Sequence, residues 1–232
     1  MSTDLTLSAS ALDYHLVLST RGDHEVEGIL VEEFTRHDDF TTTGLHSAGW
    51  TPDAGWWSSA SLSRGLRTDP DVLARVVPTA RAGVAATYRR LGGGHLPSEA
   101  VLRTYFRDHQ PFATAPPLRL GPTQPPEGFH ERRVYRVLFA KDLQADQVAA
   151  LRAVWRTTDG STAGSAASGH LERGGDQFAW NLRRVGHTLA WGLDVTVLMR
   201  TGATEAVRST LTDLTNLLRQ HGLIALTTER FS

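Results

Sequence analysis

Two short histidine units carry most of the chemistry this chain offers: His46-Ser47-Ala48-Gly49-Trp50 and His187-Thr188-Leu189-Ala190-Trp191. Both have the form His-Ser/Thr-x-x-Trp. On an extended strand, residues four apart share a face, so each unit sets an imidazole beside an indole. Histidine is the side chain that titrates near neutral pH without strong perturbation, which makes His46 and His187 the candidates for a general acid–base. The two copies fall out of register, however. Aligning the strands that follow sets Trp191 against Ser58 instead of Trp50. Matches this short arise often by chance, and an imidazole near a hairpin beside a core indole is the simpler account.

The tryptophans form the second candidate set. Trp50, Trp56 and Trp57 crowd one predicted hairpin, and Trp180 and Trp191 occupy its counterpart. Trp56 and Trp57 are adjacent, so on a strand they point to opposite faces. One reaches the core and the other lies on the open sheet face, where exposed tryptophan calls for a cover. The expected ligand-binding set is therefore Trp50, Trp57, Trp180 and Trp191. The expected partner is a small apolar ligand or a protein surface, which includes a second copy of the chain.

Other chemistries find little support. There are no cysteines, which removes disulfides, thiolate metal sites and a cysteine nucleophile together. The ten histidines contain no HxH, HxxxH or HExxH spacing, so no metal site is expected, and no motif implies a cofactor. Gly92-Gly93-Gly94 follows a predicted helix instead of opening one, which is the wrong end for an anion. Lys141 is the only lysine and so the only candidate for lysine chemistry.

The formal net charge of −1 gives no reason to expect nucleic-acid binding. No run of 18 apolar residues predicts a membrane span, and Met1 to Ser10 lacks the basic start and apolar block of a secretory leader. These features predict a cytoplasmic protein. The near-exclusive use of arginine over lysine, with isoleucine only at Ile29 and Ile224, points to a GC-rich bacterial gene.

The elements that must position these residues fall into two similar runs. Asp13 to Asp39 parallels Val134 to Gly160, each read as strand, polar turn and amphipathic helix, and Trp57 to Leu91 parallels Ala190 to Gly222. In the second run, strands are predicted at Arg133–Ala140, Phe178–Val185, Leu189–Met199 and Leu223–Phe231, and helices at Ala145–Arg156 and Thr204–His221. Thr158 to Gly175 reads as a small-residue loop. In the first run, strands are predicted at Leu12–Ser19, Thr41–Trp50 and Trp56–Leu66. Helices are predicted at Glu25–Thr35 and from Asp69 to Leu91, the latter kinked at Pro78. Ala100–Phe106 fits either a fourth strand or a short helix capped by Ser98.

The order β-α-β-β-α-β is the ferredoxin-like pattern. The predicted fold class is α+β: duplicated ferredoxin-like repeats at residues 1–110 and 131–232, packed sheet to sheet and joined by a proline-rich linker at 111–130. The function expected is non-catalytic binding or interaction through a Trp-rich sheet face or an inter-repeat cleft. The alternative is an enzyme acting on an apolar metabolite with His46 or His187 as acid–base.

Overall fold

A computed structural model describes residues 12–21, 25–112, 121–122, 124–157, 164–186, 190–200, 202 and 204–231. It is a mixed α+β protein with two antiparallel sheets and six helices among the described residues. The chain divides into two compact units. The first is 1–35 with 43–112, and the second is 36–42 with 113–232. No described helix is long and apolar enough to cross a membrane.

The first unit runs β1 (Asp13–Leu18), β2 (Val26–Arg36), β3 (Thr42–Thr51), β4 (Gly55–Ser58), α1 (Ala60–Thr68), α2 (Pro70–Arg75), β5 (Val76–Thr79), α3 (Arg81–Arg90), α4 (Glu99–Arg103) and β6 (His109–Pro111). Its sheet has the order β4-β3-β2-β1-β5. β6 pairs with β3 over Gly44 to His46, while β4 pairs with β3 over Ala48 to Thr51.

Three expectations fail here. The helix expected at Glu25–Thr35 is strand β2. Its apolar residues satisfy helical spacing, but the segment lies between two strands and is buried along most of its length. Ile29, Val31 and Thr35 are β-branched and fit that setting. The strand expected at Trp56–Leu66 stops at Ser58 and gives way to α1. The long kinked helix is instead α2, β5 and α3: Pro78 sits in the edge strand β5 opposite His15, a place where a residue without an N–H is tolerated. The first unit therefore does not run β-α-β-β-α-β. The ambiguous segment resolves as helix α4, with Ser98 Oγ accepting from Val101 N at 3.4 Å.

Alternation along β1 and β2 builds two apolar layers. Tyr14, Ile29, Val31 and Trp50 pack with Val84 and Tyr88 of α3 and Leu102 of α4. His15 and Glu32 point the other way, toward Ser63 and Arg67 of α1. Helices thus cover both faces of this sheet.

The second unit runs β7 (Glu131–Ala140), α5 (Ala145–Val154), β8 (Ser165–Arg173), β9 (Asp176–Val185), β10 (Ala190–Met199), α6 (Glu205–Gln220) and β11 (Ile224–Arg230), in the order β11-β7-β10-β9-β8. β8 lies where a loop was expected. Ser165, Ala166, Ala167, Ser168 and Gly169 carry no strand pattern of their own, and pairing with β9 supplies the order. Part of that loop, and of the expected linker, lies outside the described residues. Rows of buried side chains cross this sheet in register: Val137, Leu193 and Leu182 in one, Tyr135, Val195 and Trp180 in the next. α6 buries Val207, Leu211, Leu214 and Leu218 at helical spacing, and Gly222 follows it with φ of 88°, the left-handed conformation that glycine adopts cheaply.

Residues Arg36–Thr42 belong to this second unit. Phe40, buried, holds a φ of 72°, uncommon for a side chain of its size. Its ring lies 6.3 Å from that of Tyr135, and the Arg208 guanidinium stands 5.2 Å over it. Thr42 Oγ1 accepts a hydrogen bond from Thr228 N of β11 at 2.9 Å.

Candidate functional site

β3 and β6 place His46 directly opposite His109, so both imidazoles stand on one face of the first unit's sheet. Their ring centroids are 4.8 Å apart. His46 stacks on Phe106 at 6.1 Å with the planes 6° from parallel. Beside this pair, Tyr105 stacks on Trp56 at 5.7 Å, and the indole N–H of Trp56 donates to the Tyr88 hydroxyl at 3.3 Å. Trp56, Tyr105, Phe106 and His46 are each half-buried and make two stacked pairs, linked through the adjacent residues Tyr105 and Phe106 into an aromatic shelf; Trp56 and Phe106 also pack against the core around Trp50 and Tyr88.

Polar contacts steer the shelf. His46 Nδ1 lies 3.1 Å from the Asp108 carbonyl oxygen. Ser58 Oγ donates to Asp108 Oδ2 at 2.7 Å and accepts from Asp108 N at 3.2 Å. His109 Nε2 lies 3.1 Å from Thr35 Oγ1, which accepts from Thr43 Oγ1 at 2.9 Å. The Asp108 carboxylate thus bonds serine, while His46 bonds a main-chain carbonyl. His187 lies outside the described residues.

The expected tryptophan set divides. Trp50 is buried in the first unit's core. Trp180 and Trp191 are buried in the second unit, where Trp180 meets Trp155 edge to face at 5.9 Å. Trp191 donates its indole N–H to Asp142 Oδ1 at 3.0 Å, and the Arg184 guanidinium lies 4.9 Å from its ring centroid. Trp57 is half-buried and turned to the face opposite Trp56. It lies directly across from Gly49, and a Cβ on that glycine would stand 2.6 Å from the indole. The same device recurs in the second unit: Trp180 lies across from Gly169, again with 2.6 Å to an added Cβ.

A third group was not apparent in the sequence. Glu32 is fully buried and accepts from Arg67 Nη1 at 2.8 Å and Nη2 at 3.0 Å, and from Ser63 Oγ. His15, only 4% exposed, holds Nε2 at 3.5 Å from Glu32 Oε2, ion-pair range but longer than a hydrogen bond. Burial opposes the charge on Glu32, but the Arg67 guanidinium beside it, with His15 adding to it, outweighs that and holds the carboxyl below the usual range. The sequence signal was Glu32 on the same strand face as Leu30 and Phe34, visible only once β2 is read as a strand.

On the other face, burial pushes the Tyr14 phenol up to about 12, with Glu99 adding to the shift and Arg81 opposing it. Tyr14 donates to Glu99 Oε1 at 3.0 Å and accepts from Arg81 Nη1 at 2.6 Å. In the second unit, burial pushes the Lys141 ammonium down. Among the described residues, no group of three or more His, Cys, Asp and Glu side chains is placed to hold a metal ion.

No protein-family model, curated protein or solved structure matches this chain.

Proposed function

We propose that this chain is a binding protein without catalysis, and that the aromatic shelf of the first unit is where its ligand lies. The observation that carries this is the half-buried row of Trp56, Tyr105, Phe106 and His46, with Trp56 and Tyr105 stacked at 5.7 Å. Contiguous half-exposed rings are costly in water and are characteristic of ligand and partner surfaces. The occupant this suits is a small apolar or planar molecule, with Asp108 and His109 supplying polarity at one end. The buried Trp50, Trp180 and Trp191 serve the cores, and Trp57 covers Gly49.

The alternative, an enzyme using His46 as acid–base, draws on the nearness of Asp108. It is the weaker reading, because the carboxylate engages Ser58 while the His46 imidazole engages a main-chain oxygen. For the fold, the order β11-β7-β10-β9 supports reading the second unit as a ferredoxin-like repeat carrying β8 as an added edge strand.

A native mass spectrum of the chain purified from its own host tests the binding reading, and it reports subunit number as well. A bound small molecule lost in Tyr105→Ala, with the fold retained, is the expected outcome. Turnover of any apolar metabolite that disappears in His46→Gln would replace this reading with the enzyme.

A further inference from the structure

We propose that His46 and His109 together chelate a divalent transition-metal ion of the zinc, nickel or copper class where β6 pairs with β3 in the first unit. This does not rest on the shelf binding an organic ligand.

The spacing of the two rings is the first argument. With metal–nitrogen bonds of about 2.0–2.1 Å, two imidazoles on one ion hold their ring centroids roughly 4.5–5.2 Å apart, from a right-angled to a tetrahedral arrangement. The His46 and His109 centroids are 4.8 Å apart. They sit opposite one another on paired strands, so the backbone itself sets that distance.

The second argument is the protonation pattern. A carbonyl oxygen only accepts, so the contact between His46 Nδ1 and the Asp108 carbonyl requires the proton on Nδ1. The lone pair then lies on Nε2. A ring nitrogen donating to a carbonyl while the other is open is the arrangement found behind metal-binding histidines. His109 Nε2 faces the Thr35 hydroxyl, which leaves Nδ1 as its open nitrogen.

Third, both rings are held in place without a metal. Phe106 stacks parallel on His46. The Nε2–Cε1 edge of His109 lies against Gly44, where an added Cβ would stand 2.4 Å from Nε2. The Asp108 carboxylate, fixed by Ser58, brings negative charge close by, which favours a cation. Two nitrogen donors suit zinc, nickel and copper and not magnesium or calcium, and water completes the coordination.

The test is calorimetric titration of the untagged, metal-stripped full chain with Zn²⁺ and with Ni²⁺. The expected result is one saturable site per chain. His46→Gln and His109→Gln should each weaken it by about tenfold or more. Tyr105→Ala, which removes a ring of the shelf but neither imidazole, should keep the saturable metal site while losing the organic ligand, so that the two kinds of binding are read apart although they share His46 and His109. Circular dichroism confirms that the glutamine variants are folded. Copper(II) electron paramagnetic resonance should show two imidazole nitrogens in the wild type. Undiminished binding in either glutamine variant overturns the chelate, as does the lack of any saturable site or equal affinity for Mg²⁺.

Discussion

Glu32 and Arg67 meet as a two-point ion pair inside the first unit, each guanidinium nitrogen Nη1 and Nη2 facing its own carboxylate oxygen at 2.8 and 3.0 Å. The guanidinium also lies 5.4 Å from the ring centroid of Phe34 and 5.9 Å from that of Phe112. Arginine suits this place because its planar fork matches a carboxylate while its faces stack on rings. Such a pair favours one register of α1 on the sheet, because any slip leaves a buried charge alone.

Removing one partner should therefore cost far more than removing both. Arg67→Met is expected to destabilise the protein by about 3–5 kcal/mol, because Glu32 stays buried without its counter-ion. Glu32→Met combined with Arg67→Met should regain most of that loss. Urea unfolding of the two variants decides the point. Equal losses would mean that the pair itself, and not the stranded charge, carries the energy.

Acid should weaken the first unit through the same carboxylate. The folded carboxyl titrates below its unfolded value of about 4.3, so its contribution is present above that pH and fades as pH falls toward the folded value. Wild-type stability should decline below about pH 4.3 more steeply than that of Glu32→Gln, which lacks the proton exchange. Parallel pH–stability curves for the two proteins would contradict this assignment.

The tryptophans should separate by burial. Trp191→Ala empties a core position and loses the hydrogen bond to Asp142, at an expected cost of about 3–5 kcal/mol. Trp57→Ala should cost less, since its ring is half-exposed. Melting temperatures of the two variants give the order, and a larger drop for Trp57 would be the contrary result.

Gly49 and Gly169 should resist substitution. Each lies under an indole from the facing strand, and a Cβ would stand only 2.6 Å from that ring. Gly169→Ala should destabilise by about 1–3 kcal/mol, the range for overpacking. Adding Trp180→Phe to it should restore part of the loss, because the smaller ring makes room. Thermal unfolding of the single and double variants measures the recovery.

Much of the second unit was legible in the sequence. β7, α5, β9, β10, α6 and β11 carry clean periods of two or of 3.6, with Gly222 marking a helix end. β8 was not, because serine, alanine and glycine have no period to read. In the first unit, Val26, Ile29, Leu30 and Phe34 fit a helical stripe as well as a strand, and only pairing on both sides decides for β2. The Glu32 cluster was hidden for a different reason: Ser63 and Arg67 lie 31 and 35 positions away in the chain. Likewise His46 and His109 become neighbours only when β6 pairs with β3. The sequence links His46 to Trp50, yet its neighbours in the fold are Phe106, Asp108 and His109.

Residues Arg36–Thr42 count with the second unit while the chain on either side counts with the first, so the second unit is discontinuous in sequence. No single scission can liberate it whole. A fragment ending at Phe112 would carry Phe40 without Tyr135 and Arg208, leaving a left-handed phenylalanine in water. A fragment starting at Ala113 would take Thr228 without the Thr42 hydroxyl that accepts from its N–H. Synthesis follows the same geometry. The ribosome releases Phe40 long before β7 and α6, so the second unit cannot close until nearly the whole polypeptide has emerged.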